Sequence, residues 1–258
     1  MSYLRGFSIY SLGLSKYFYS RRRNSIILLI LGIPVILSLM LLFEGGFNSN
    51  FSFQRQVINF GFGFYNVYAI IIILFFATYI TTDEISDKTI SYFVHSPISR
   101  EEIFFWKFLC FASYSTFIYV SMQILFFITF SYPSLRLFPS NPENYELFLN
   151  ILLITIINVL YFGSFFFFIS VVTNRPVIWG LVIGFSDQIL LGTLFPNLLG
   201  AYSLSYHIKA IAYDLLGNIG VSFNPFMKIQ DSYFVVLGLI IFFVGATLFI
   251  AKNRELKA

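Results

Sequence analysis

Residues Gly61 to Lys107 read "GFGFYNVYAIIIILFFATYITTDEISDKTISYFVHSPISREEIFFWK" and join two kinds of chain. The twenty-two residues from Gly61 to Thr82 carry no charge. The part from Thr81 to Lys107 carries eight of the chain's twenty-eight formal charges. A hydrocarbon slab about 30 Å thick takes about 20 apolar helical residues to cross. The first part therefore reads as a membrane span, and the second as a loop that meets water.

The same pattern extends in both directions. Ser25 to Phe43 is nineteen residues without a charge. Six apolar blocks are legible, at roughly 25–43, 61–82, 106–130, 147–172, 176–199 and 232–251. Hydrophobic residues make up 58% of the chain and charged residues 11%, whereas soluble domains are about a quarter charged. Backbone groups in lipid must bond within the protein, so the blocks are helices. The short alternating segments of a barrel are missing. The expected fold is an all-α integral membrane protein, one transmembrane domain over residues 1–258.

Lysine and arginine collect on the cytoplasmic side of short loops. With six spans, one side holds Arg5, Lys16, Arg21, Arg22, Arg23, Lys88, Arg100, Lys107, Arg175, Lys252, Arg254 and Lys257, and the other holds only Arg55, Arg136, Lys209 and Lys228. Both termini and the loop 83–105 are thus expected in the cytoplasm. The net charge of +4 follows from this asymmetry and does not point to nucleic acid. A cleaved signal is not expected, since "FEGGFNSN" after the first block has no A-x-A-like site. Cys110, the single cysteine, falls in the third block as a buried thiol.

In the leader, residues 1–24, Tyr3, Leu4, Phe7, Tyr10, Leu14, Tyr17 and Phe18 recur at spacings of three and four, with Arg5, Ser8, Ser11 and Ser15 off that stripe. This is the pattern of an amphipathic interfacial helix. It serves equally as a simple anchor or as a docking element.

The charged loop is organised. Thr81 and Glu84 form a capping box, and the helix they open shows Glu84, Asp87 and Lys88 on one side, with Ile85, Thr89 and Phe93 on another. Pro97 ends it, because a residue before proline avoids helical geometry. Ser99 to Glu102 is a second capping box, which opens a helix running through Trp106 and Lys107 into the third span. A solvated elbow with an aromatic and lysine anchor is the plainer reading. The alternative is a surface that docks a cytoplasmic partner.

Here the segment resembles the cytoplasmic signature of ABC-2-type transporter permeases: a Glu closing the second span, a Gly-Thr pair, an apolar stretch, Pro-x-Ser-Arg, and a Lys before the third span. Glu84, Thr89, Pro97, Ser99, Arg100 and Lys107 match; Lys88 stands where the family has Gly. The six-span count, the basic leader and the charged second loop are similar to that family over the whole chain. The resemblance implies that Glu84, Asp87, Lys88, Thr89, Pro97, Ser99, Arg100 and Lys107 form a coupling helix region on an ATPase subunit. It also implies export, a path lined by the second and fifth spans, a second permease copy or relative, and a plasma-membrane location.

The chain has no G-x-x-x-x-G-K-[ST] sequence and no Lys directly after a Gly. No cofactor is therefore expected in this chain; ATP and Mg would sit on the partner. Enzyme chemistry is thin. His95 and His207 fall on opposite sides, so they share no metal. Glu101-Glu102 begins an E-E-x-x-x-R-like run, but its sixth position is Trp106. There is no G-x-S-x-G.

Asp187 lies within the fifth block between Ser186 and Gln188. Ionisable residues at that depth face a bundle interior or a cavity. Asp187 and Gln188 are candidates for the translocation path; a structural carboxyl bonded to a neighbouring helix is the other reading. Between the last two spans, residues 200–231 form an external loop or re-entrant helix. In it Ile208, Ile211, Ala212 and Leu215 mark one face, His207 and Asp214 mark another, and Gly217-Asn218 ends the helix. The resemblance implies that this element caps the exit; alone, it could also lie flat on the outer leaflet. The expected function is the permease subunit of an ATP-driven transporter. A secondary transporter or channel without an ATPase, or a membrane anchor for a larger assembly, are the alternatives.

Overall fold

The computed structural model describes residues 8–15, 32, 36, 54–55, 58, 70–79, 99–131, 142–187, 202–217 and 228–253. Among them are helices and no strands. We label them α1 (8–15), α2 (Ile70–Tyr79), α3 (Arg100–Ser131), α4 (Pro142–Val172), α5 (Pro176–Ser186), α6 (Leu204–Leu216) and α7 (Ile229–Asn253). Three helices are long and apolar enough to cross a membrane: Arg100–Ile128, Glu143–Val172 and Ile229–Asn253.

Local sequence sets the helix ends. Ser99 Oγ accepts the backbone N–H of Glu102 at 3.3 Å, and its carbonyl accepts that of Ile103 at 3.2 Å. This is the serine half of the capping box expected there. α4 and α5 both open on proline, whose fixed φ and missing N–H suit the first helical position. α6 starts at Ser203, whose hydroxyl accepts the N–H of Tyr206, and stops at Gly217. Gly217 has φ of 65°, in the left-handed region that favours glycine, and its N–H bonds the Tyr213 carbonyl.

Aromatic side chains set the register. α3 and α4 run antiparallel, with Phe108 against Phe167 at 5.5 Å between ring centroids and Phe127 against Phe148 at 4.3 Å. α7 joins them through Phe243, which meets Phe165 and Phe168 of α4 at 5.2 and 5.6 Å. The leader helix α1 leans on the start of α3, with Tyr10 edge-on to Trp106. Its Ser8, Ser11 and Ser15 are exposed, and Tyr10 and Leu14 pack on the core, as the stripe anticipates. A Cβ at Gly13 would stand 2.9 Å from the buried Cys110 sulfur, so this glycine seats α1 on α3.

α5 packs on α2 through glycines. A Cβ added at Gly180 would overlap Leu74, and one at Gly184 would approach Ile70 to 3.2 Å. Residue numbers rise along one helix as they fall along the other, so the pair is antiparallel. Without a hydrophobic drive between helices in lipid, such close approach is a main source of cohesion. Two polar contacts tie the ends of the bundle. Lys252 near the end of α7 pairs with Glu101 in the first turn of α3 at 3.2 Å. Gln54 donates to Asn144 in the first turn of α4 at 3.1 Å, and both are buried.

The glycine contact gives a test. Gly180→Ala forces a methyl against Leu74, which is fully buried. We expect it to destabilise the protein by roughly 1–3 kcal/mol, the range for overpacking. Gly238→Ala on α7 has open space and should be neutral or stabilising. Thermal unfolding of both variants in one detergent compares them directly.

Candidate functional site

The polar centre of the bundle is the junction of α5 and α6. Asp187, directly after α5, is only 4% exposed. Its Oδ1 accepts the N–H of Leu204 at 2.7 Å and its Oδ2 that of Ser205 at 2.8 Å. These are the first two N–H groups of α6, which no turn of its own helix can satisfy. The carboxylate also lies at the positive end of that helix's dipole. Ser203 adds its own cap and shares a 2.8 Å hydrogen bond with Ser205. Eleven residues separate Pro176 from Asp187, a rise of roughly 16 Å. That is about half of a 30 Å hydrocarbon layer.

The other end of α6 is held as well. Asn150 of α4 donates its side-chain amide to the Leu215 carbonyl at 2.8 Å. One helix is thus fastened at its N-terminus by a carboxylate from α5 and at its C-terminus by an amide from α4. Along its length, His207 Nδ1 lies 3.3 Å from Ser232 Oγ, and Tyr233 donates to Asp214 at 3.0 Å, both contacts to α7.

α6 differs from the sequence expectation in one respect. His207 does not stand on an open polar face. It is buried, together with Tyr206, Ile208, Ala210, Ile211 and Ala212, because α4 and α7 enclose the helix. α6 is thus packed against α4 and α7 along much of its length. Asp214, one turn and more beyond, is the exposed polar residue.

Of the coupling residues named from sequence, Glu84, Asp87, Lys88, Thr89 and Pro97 lie outside the described residues, as do His95 and Gln188. Ser99 caps α3, and Arg100 is its first residue, half-buried. Lys107 is not a surface anchor. It is 6% exposed and its ammonium sits 5.5 Å from the centre of the Phe104 ring. Ile103, Phe104, Lys107, Phe108 and Phe111 share the packed face of α3, which turns the lysine inward. Sequence reading missed Asn150 and Ser203. A serine before an apolar helical run is a start signal, but the starting position was hidden by the apolar segment around it. Asn150 carried only the signal of a lone amide in "LFLNILLITI".

Comparison with protein families matches residues 18–190 to the ABC-2 family transporter proteins. The chain belongs to this family. It is an ABC transporter membrane protein with transmembrane helices. The match to the ABC-2 family includes the whole charged loop, α1 excepted, and ends just past Asp187. α6 and α7 lie beyond it, so the carboxylate inside the match fastens a helix outside it. No curated protein and no solved structure matches the chain.

Substitutions at Asp187 separate its two bonds. Asp187→Asn keeps one acceptor oxygen and loses the other; Asp187→Leu loses both. Leaving a buried N–H unpaired costs about 1–3 kcal/mol. We expect a graded loss of stability, wild type above Asn above Leu, in thermal unfolding of the detergent-solubilised protein. Equal stability of all three variants would show that the carboxylate does not hold α6.

Proposed function

We propose that this chain is the permease subunit of an ATP-driven ABC-2 exporter, moved by separate ATPase subunits at its cytoplasmic face. The observation that carries the proposal is the built entrance to α3. Ser99 caps that helix, Arg100 opens it, and Glu101 pairs with Lys252 of α7. This is the end of the signature that resembles the family's coupling loop, and it lies within the family match. An exposed ion pair stabilises by well under about 1 kcal/mol, so its weight here is positional. It brings Lys252, near the end of α7, beside the first turn of α3.

In this proposal six helices cross the plasma membrane with both ends in the cytoplasm. The excess of lysine and arginine on one side and the antiparallel order of α3 and α4 support that arrangement. ATP and Mg²⁺ would be held by the partner, and two permease copies, or one and a relative, would face each other. Glu84, Asp87, Lys88, Thr89, Pro97, Ser99 and Arg100 would receive the push. Lys107, buried in the packed face of α3, would carry it into the bundle rather than touch the partner. α3 has 32 residues, about 48 Å of continuous helix, and can pass a displacement across the whole layer. α6, re-entering to the depth of Asp187, would open and close the outer half of the path. Asp187 and Gln188 would then border the route as well as hold the gate.

Two measurements test this. Cysteines at Glu102 and Asn218 in a Cys110→Ala background should react with an impermeant maleimide from opposite sides of sealed vesicles. Glu102 is exposed and spares the Ser99 cap. Same-side labelling would remove the six-span topology. In the second, Arg100→Glu should insert normally yet lose ATPase subunits on gentle purification. Truncating one partner of a desolvated charged contact costs roughly 2–5 kcal/mol. Unchanged ATPase recovery and unchanged transport would leave the loop a solvated elbow.

A further inference from the structure

Hydroxyls inside this bundle mostly bond to their own helix. Ser121, Thr155, Ser164, Ser170 and Thr247 each donate to a carbonyl three or four residues back, at 2.6–2.8 Å. That is the usual way for a helix to absorb a hydroxyl away from water. Some hydroxyls depart from it. Ser115 Oγ on α3 and Tyr161 Oη on α4 are buried and have no hydrogen-bond partner among the described residues. A phenol is too long to bond its own preceding turn, so Tyr161 needs a partner from elsewhere.

Its position says where. Asn150, Tyr161, Phe165 and Phe168 fall on one face of α4 by helical spacing. Asn150 reaches α6, and Phe165 and Phe168 reach Phe243 of α7. Tyr161 therefore looks toward the α6–α7 side. From Leu204 to Leu215 α6 rises by eleven residue steps, and α4 covers the same eleven steps between Asn150 and Tyr161. With Leu215 fixed at Asn150, the start of α6 comes level with Tyr161. Asp187 sits at that start. The pairings of Phe108 with Phe167 and Phe127 with Phe148 put Ser115 at this level too.

We propose that this level of the bundle is a water-binding site, with one molecule seated between the Tyr161 hydroxyl and the Asp187 carboxylate. Each Asp187 oxygen accepts one N–H and keeps capacity for another hydrogen bond. The phenol donates to the water, and the water donates to the carboxylate. Asn158, buried one turn along the same face of α4, and Ser203 and Ser205 make the surroundings polar. Buried waters are held by about 2–4 such partners, and they occur where protein polar groups are otherwise unsatisfied. The bridge ties α4 to the N-terminus of α6, which Asp187 ties to α5. This site is independent of the transport reading, since it needs neither ATPase nor substrate.

The test is hydroxyl-radical footprinting of the full chain in lipid nanodiscs, with radicals generated from water by X-rays and read by mass spectrometry. Radicals formed on a bound water oxidise the side chains beside it. Tyr161 should be oxidised several-fold faster than Tyr119, an equally buried tyrosine on α3, and Tyr202, which is 82% exposed, is the open control. In Tyr161→Phe the oxidation at position 161 should fall toward that of the buried Phe166. Oxidation of Tyr161 no faster than Tyr119, with Tyr202 labelled normally, would overturn the site. Undiminished oxidation at position 161 in Tyr161→Phe would overturn the phenol as the water's partner.

Discussion

Two hydrogen bonds from the N-terminus of α6 to Asp187 govern how α6 sits among its neighbours. A helix that begins inside a bundle brings unsatisfied N–H groups to a place without bulk water. Lipid cannot accept them, and a side chain of the same short segment can accept only one or two. Ser203 serves one, and a carboxylate with two oxygens serves two more. The same problem at the other end, a free carbonyl, is met by Asn150. Each fastening comes from a different helix, so α6 can sit within the bundle only where α4 and α5 are already in register.

That register rests on contacts of another kind. Phe108, Phe111, Phe127, Phe148 and Phe167 lock α3 to α4, and Phe243 brings α7 onto α4. Offset and edge-on rings hold a preferred relative angle as well as filling volume. Between α2 and α5 the chain uses small residues instead. Gly180 and Gly184 let α5 approach α2, and this closeness fixes how far Asp187 projects toward α6. Aromatic bulk and glycine clearance together set the depth of the one buried carboxylate among the described residues.

The two polar regions have different physical characters. At the α3 entrance the Glu101–Lys252 pair is exposed and its energetic weight is small. At Asp187 the groups are buried and bonded with short distances, as suits a fixed point about which other elements turn. α3 and α4 connect these regions as long uninterrupted helices. The first region lies inside the stretch that matches the ABC-2 family, and the second lies where that matched stretch ends, before α6.

Hydrophobic block length, the side bias of lysine and arginine, and the Ser99–Glu102 start signal were all legible along the chain. They depend on local composition, and a membrane reads composition directly. The sequence also carried the family signature and named Asp187 as out of place in an apolar block. It did not say what Asp187 was for, because the partner N–H groups lie seventeen and eighteen residues further on and behind an intervening segment. Nor did it show that Lys107 turns inward, since that depends on which face of α3 meets its neighbours. His207 looked like a polar-face residue because helical periodicity assigns faces to one helix at a time. Enclosure by α4 and α7 covers more than one face, and only the three-dimensional packing creates that enclosure.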